Sequence, residues 1–116
     1  DLPLRLPGGR ILHLLASHPT PPVFDGAEDR NGRRNHDEIR FWADYLSDAK
    51  AGWVVDDRGA AGGLVRGASF VILGDLNSDP SDGDSVRGAI HQLLDHPRIA
   101  PSVAPASEGA AAAAAR

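Results

Sequence analysis

The segment VILGDLNSDP carries the residues whose types and spacing are best suited to chemistry. Asp75 and Asn77 stand two positions apart after an apolar run typical of a strand, so both side chains can point the same way in an extended chain. A carboxylate can hold Mg²⁺ or orient a water molecule, and an amide donates hydrogen bonds to a phosphoryl oxygen without adding negative charge. The pattern is therefore compatible with chemistry on phosphate esters.

Two other interpretations of this segment depend on the same polar residues. Acidic and amide side chains alternate at Asp75, Asn77 and Asp79, as they do in a calcium-binding loop. That loop needs Gly at the position of Pro80 and a bidentate Glu at the position of Val86, so the calcium interpretation is disfavoured. Formation of turns and capping of the next helix remain open as a structural explanation.

A second group with chemical potential is His18, which follows a mostly apolar run over residues 10–17. If that run is a strand, His18 stands at its carboxyl end, as Asp75 does at the end of its own strand. Polar sites in α/β proteins lie at such ends. The alternative is a turn residue before Pro19. A hydrolase pair with Ser17 is disfavoured, because neighbours in a strand point to opposite faces.

The basic cluster Arg30, Arg33 and Arg34 lies in a long polar segment before the first predicted helix. Arginines can grip phosphate through fork-shaped hydrogen bonds, although a solvated charge cluster is the commoner outcome. Asn35 could line the same cleft. Its spacing from Glu38 also fits a helix-capping box, which would place the start of the helix at Asn35.

The elements that must position these groups are predicted as strand, long loop, helix, excursion, strand and helix. Strands are expected over 10–17 and 69–73, as parallel neighbours, because the connection between them is far longer than a hairpin and contains a helix. The first helix runs from Asn35 towards Gly52, and the second begins at Asp84 and ends at Pro97. A short strand or extended segment is expected at residues 53–55. The expected apolar faces comprise Ile39, Trp42, Ala43, Leu46, Val86, Ala89, Ile90, Leu93 and Leu94.

Composition bounds the classes of protein that this chain can represent. The 116 residues include 41% hydrophobic and 24% charged residues, an ordinary globular balance. The net charge of −4 gives no indication of nucleic acid as a partner, and no apolar run approaches the ~20 residues of a membrane span. Cysteine is absent, which excludes disulfides. We expect a domain over residues 1–100 and a low-complexity Ala/Pro/Ser tail over 101–116, either helical or disordered.

The motif and its surroundings resemble a known family. VILGDLNSDP is similar to the Gly-Asp-x-Asn motif of the endonuclease/exonuclease/phosphatase superfamily, and the strand that ends at His18 resembles a strand of that family that ends in histidine. The stretch HPTPPVFDGAEDRNGRRNHDEIRFWADYL looks most like a bacterial, often exported branch of this superfamily. The resemblance covers residues 4–99.

This resemblance implies an α/β fold that forms part of a layered α/β sandwich, with two parallel strands, a crossover helix and a following helix. It implies metal-dependent hydrolysis of a phosphodiester or phosphomonoester of unknown identity, with Mg²⁺ or Mn²⁺. His18, Asp75 and Asn77 would be catalytic, and Asp75 would also hold the metal. Independently of the resemblance, Arg34 of the basic cluster and Asn35 are the expected substrate-binding residues. An extracytoplasmic location is also implied by the resemblance.

The departures from the family pattern lead to a further expectation. The family supplies a metal-binding Glu from an earlier strand and an Asp-His pair from a later segment, and neither has a counterpart here at a suitable position. Asp95 and His96 have the same residue types as the Asp-His pair of the family, but they come too soon after Asn77 to correspond to it. We therefore expect an incomplete catalytic segment with low affinity for Mg²⁺. The alternative is a non-catalytic folding or binding module, in which self-association covers exposed sheet edges.

Overall fold

The computed structural model describes residues 1–100 and 107–115, and shows an α/β arrangement built on a three-stranded sheet. Strand β1 spans Leu2–Arg5, β2 Ile11–Ala16 and β3 Ser69–Leu73. Helix α1 spans Arg30–Tyr45, α2 His91–Leu94 and α3 Glu108–Ala114, with a short 3₁₀-helix at Ala51–Trp53. No helix in this part of the chain is long and apolar enough to cross a membrane.

The central strand β2 pairs with β1 antiparallel and with β3 parallel. The parallel pairing of β2 with β3 confirms the prediction, and its register joins Ala16 to Leu73 at the carboxyl ends of the two strands. Strand β1 had no predicted counterpart. It is a four-residue edge strand containing Pro3, and edge positions tolerate proline because no central ladder hydrogen bond is lost there.

The core lies between one face of the sheet and the helices. Its most buried side chains include Leu15 of β2, Ile39 of α1 and Leu46, which directly follows α1, each with at most 1% exposure. The same cluster contains Trp42, Leu64, Ala89 and Leu93. The periodic apolar positions of the sequence thus identify most of the helical side of the core, although Leu94 remains 36% exposed.

The opposite face of the sheet is apolar and uncovered in the described part of the chain. Register pairs place Leu2, Leu14 and Val71 in one row across the three strands. Leu2 is 57% exposed and Val71 41% exposed, and Leu73 in the neighbouring row is 42% exposed. A row of this kind normally packs against another layer, because burying it removes apolar surface from water.

Two helix boundaries differ from the predictions. Helix α1 begins at Arg30 and not at Asn35, because Asp25 accepts a hydrogen bond from the Asn31 amide and Asp29 provides the N-cap position. The basic cluster Arg30, Arg33 and Arg34, which was expected in the segment before this helix, therefore lies inside it. Helix α2 is limited to four residues, because Gly88 adopts a positive φ of 85° that interrupts the predicted helix.

Two lesser expectations also have outcomes in the structure. Residues 53–55 do not form a strand: Trp53 closes the 3₁₀-helix and Val55 makes an isolated bridge with Ala61. The tail is helical over Glu108–Ala114, where Ser107 Oγ accepts a hydrogen bond from the Ala110 amide. Residues 101–106 lie outside the described residues, so the predicted domain boundary there stays a prediction.

Candidate active site

The parallel pairing of β2 and β3 brings the two predicted polar segments to one edge of the sheet. The Ser17 amide donates to the Leu73 carbonyl at 3.2 Å, which continues the pairing one step beyond the strands. His18 and Asp75 follow one and two residues later and lie side by side. The distance from His18 Nε2 to Asp75 Oδ2 is 4.0 Å.

Both side chains of this pair are open to solvent, at 70% and 71% exposure for His18 and Asp75. Asp75 Oδ1 accepts a hydrogen bond from the Asn77 amide at 2.9 Å, which fixes the carboxylate in a tight turn. A contact this exposed and this long contributes little stability. The arrangement therefore leaves both groups accessible to a small substrate.

Asn77 connects the two loops that form the site. It adopts a positive φ of 50°, and its Nδ2 donates to the Pro19 carbonyl at 3.0 Å. Its own carbonyl accepts from Ser85 Oγ at 3.2 Å. Asn77 thus ties the loop after β3 to the loop that carries His18, and its predicted contact with phosphate stays a prediction.

Asn35 lies inside helix α1, so its interpretation as the helix cap is wrong. Its side chain is fully buried, with Nδ2 donating to the carbonyls of Thr20 and Leu76 at 3.0 Å each. These carbonyls belong to the two loops that carry His18 and Asp75. The structure thus buries Asn35 next to the site, where it joins the two loops, and its predicted contact with substrate stays a prediction.

Further contacts from α1 hold the His18 loop. Glu38 Oε2 accepts from the Thr20 amide at 2.6 Å, and Trp42 Nε1 donates to Ser17 Oγ at 2.7 Å. Sequence reasoning missed these anchors. One sequence feature could have indicated that α1 contacts the loops: Asn35 lies on the same face of the helix as Ile39 and Trp42. A polar residue on a buried helix face needs hydrogen-bond partners inside the protein.

Arg34 lies on the surface of α1, and its Nη2 is 3.7 Å from Glu38 Oε1. It lines a cavity of about 770 Å³ that His18 also borders. The structure therefore brings Arg34 to the same cleft as His18, as the predicted substrate-binding role requires. That role itself stays a prediction.

A complete metal site is not assembled by this chain. The described residues include all 16 Asp and Glu and all 5 His of the sequence, and no group of three among them could hold a metal ion. Asp75 alone contributes a carboxylate at the strand ends. Mg²⁺ can use one or two carboxylates together with a substrate phosphate, so the residues present fit at most part of a donor set.

The chain matches the model of the Endonuclease/Exonuclease/phosphatase family over residues 5–114. It belongs to this family. No curated protein and no solved structure matches the chain. Members of the endonuclease/exonuclease/phosphatase family are in general phosphoesterases or nucleases that depend on divalent metals, so membership assigns the chain to a family of hydrolases that act on phosphate esters or nucleic acids.

The segment Asp95–His96 packs at the end of α2. The amides of Asp95 and His96 donate to the carbonyls of His91 and Leu93, which completes the last helical turns. His96 Nδ1 accepts from the Arg98 amide at 3.2 Å. These contacts are those expected of residues that end a helix.

The pH dependence of stability tests whether His96 is packed at the end of α2 as the structure shows. Burial first, and then the charges of Arg98 and Lys50, lower the pKa of His96. Because the unfolded chain then binds the proton more tightly, the contribution of His96 is present above about pH 6.5 and is lost as pH falls towards the folded pKa. Urea denaturation of the wild type and His96→Asn should show a smaller loss of stability in the variant between pH 7 and pH 5. If the free energy of unfolding changed equally with pH in the two proteins, the described packing of His96 would be contradicted.

Proposed function

We propose that this chain carries the phosphate-ester-hydrolysing site of its family at the strand ends, formed by His18, Asp75 and Asn77. The observation that carries the proposal is the 4.0 Å approach of His18 Nε2 to Asp75 Oδ2. Two side chains at this separation can be bridged by one water molecule, so both can contact the same reacting group.

Each residue has a proposed role. Asp75 orients the attacking water and accepts its proton as the water oxygen bonds to phosphorus. His18 contacts the phosphoryl group and protonates the leaving oxygen as its bond to phosphorus breaks. Asn77 offers its second Nδ2 proton to a phosphoryl oxygen while the first stays on the Pro19 carbonyl. Asn35, from its buried position, keeps the two loops at this spacing.

The metal requirement is a separate part of the proposal. We propose that Mg²⁺ or Mn²⁺ binds weakly at Asp75 in this chain, because no second carboxylate or histidine completes a three-ligand group among the described residues. The remaining ligands would come from residues beyond this chain, which would make it one segment of a catalytic domain. A metal at this position would stabilise negative charge on the phosphoryl oxygens.

The uncovered sheet face supports two competing extensions of this proposal. Leu2 and Val71 expose an apolar surface that a second sheet would cover in a layered sandwich. The same surface would suit self-association of a non-catalytic module. Hydrolysis that depends on Asp75 favours the first alternative, whereas a dimer without hydrolysis favours the second.

Hydrolysis by Asp75→Asn tests the proposed function. We expect Asp75→Asn to hydrolyse bis(4-nitrophenyl) phosphate or 4-nitrophenyl phosphate at least a hundredfold more slowly than the wild type with Mg²⁺ or Mn²⁺. The reason is that the amide cannot accept the proton of water. Asp82→Asn is the matched control, since Asp82 is an exposed loop carboxylate that, among the described residues, accepts only from the backbone amide of its neighbour Gly83. The rates are measured in this chain and in any longer chain that contains it. Because this chain supplies only part of a metal site, the difference is expected in a longer chain that contains it, and equal rates for the two variants there would refute the proposed function.

A further inference from the structure

The cavity beside His18 has a wall that the proposed chemistry does not use. Its volume is about 770 Å³. It extends from His18 along the exposed side of α1 to the 3₁₀-helix. The residues that matter here are His18, Arg33, Arg34, Phe41, Trp42 and Trp53.

The far wall of this cavity is aromatic and held in place. The ring centroids of Phe41 and Trp53 are 5.8 Å apart at an interplanar angle of 77°. Trp53 is 54% exposed, yet its Nε1 donates at 3.0 Å to Asp44, whose side chain is buried. An exposed ring that is fixed by a buried partner loses little freedom when a ligand stacks on it.

The rim of the cavity carries one uncompensated positive charge among the residues that the structure describes. Three of its arginines are paired with carboxylates of the same rim, at 3.1 to 3.7 Å: Arg30 with Glu28, Arg34 with Glu38, and Arg40 with Asp37. Arg33 is exposed and makes no ion pair with any described residue. The cavity therefore suits a ligand with an apolar body and one negative charge.

We propose that this cavity is a subsite for the aromatic ring of an aryl-type phosphate ester, with the ring on Trp53 and Phe41 and the phosphoryl group between Arg33 and His18. This inference rests on the proposed function and adds a substrate class to it. Stacking supplies affinity for any flat ring, and the guanidinium supplies a match for the phosphoryl charge.

Binding of two phosphonates, which cannot be hydrolysed, tests the subsite without depending on turnover. Phenylphosphonate and methylphosphonate share the same head group and differ in the ring. Titration followed by amide chemical shifts should give about tenfold tighter binding of phenylphosphonate, as expected for one stacked ring. Trp53→Ala should abolish the preference, and Trp53→Phe should retain most of it. Both variants lose the hydrogen bond to Asp44, so their difference isolates the ring.

A matched control and a charge variant complete the experiment. Val65→Ala removes a 76% exposed apolar side chain outside the cavity and should leave the preference intact. Arg33→Gln should weaken both phosphonates by a similar factor. Equal affinities in the wild type, or a preference that survives Trp53→Ala, would overturn the subsite. Self-association that Trp53→Ala abolishes would also overturn it, by assigning the wall to a second copy.

The subsite and the proposed function fail separately. A ring preference without hydrolysis dependent on Asp75 would support the subsite and refute the function. Hydrolysis that depends on Asp75, without a preference for phenylphosphonate, would support the function and refute the subsite.

Discussion

Gly74→Ala should lower the free energy of unfolding by about 3 kcal/mol or more. Gly74 directly follows β3 with a φ of 130°, a conformation that side chains rarely allow. A Cβ at this position would collide with the Ser17 carbonyl oxygen, which belongs to the backbone and cannot move aside. The loops after β2 and β3 would have to separate, and with them His18 and Asp75.

Gly83→Ala is the matched control for this variant. Gly83 also has a positive φ, 91°, but no atom of the described residues lies within 4 Å of a Cβ placed there. Gly83→Ala should lower the free energy of unfolding by about 1 kcal/mol, from backbone strain alone. Urea denaturation of both variants separates strain from the collision. A cost for Gly74→Ala within about 0.5 kcal/mol of the control would show that the loops are not packed as described.

Asn35→Asp should destabilise the protein by about 3 kcal/mol at neutral pH. The substitution replaces the Nδ2 donor with an oxygen that faces the Thr20 and Leu76 carbonyls in a fully buried position. The Oδ1 atom has no hydrogen-bond partner among the residues that the structure describes, so the new charge would gain none from them. Burial would raise the pKa of the introduced carboxyl, and the deficit should therefore shrink as pH falls.

Asn31→Asp controls for the change of charge on the same helix. Asn31 lies in the first turn of α1, where negative charge is favourable, and its Nδ2 donates to the Val23 carbonyl. We expect a cost of about 1 kcal/mol or less, with no recovery at low pH. Denaturation curves at pH 7 and pH 5 measure both effects. Equal costs at the two positions would contradict the described role of Asn35 in joining the loops.

The sequence was sufficient for the elements that hold the site because their signals are local. Apolar runs at residues 10–17 and 69–73 and the long helix-containing connection between them predict two parallel strands, and the structure places Ile11–Ala16 and Ser69–Leu73 in that arrangement. Parallel strands that share a register must end at one edge. The meeting of His18 and Asp75 follows from that register.

The parts that the sequence did not reveal depend on contacts between distant residues. Asn35 matched a local capping pattern, but its partners are Thr20 and Leu76, which adjoin it only after folding. The early start of α1 depends on Asp25, six residues before the amide that it accepts from. The cavity wall requires Trp53 to meet Phe41 across the end of α1, and no spacing in the chain indicates this contact.

The central claim is that His18 and Asp75 act as one unit on a phosphate ester, and a double-mutant cycle on hydrolysis measures this most directly. The rates of His18→Asn, Asp75→Asn and the double variant are compared on bis(4-nitrophenyl) phosphate, in the most active chain that contains these residues. We predict that the double variant is no more than about threefold slower than the slower single variant, since residues of one unit fail together. Losses that multiply, or a rate that survives Asp75→Asn, would contradict the account.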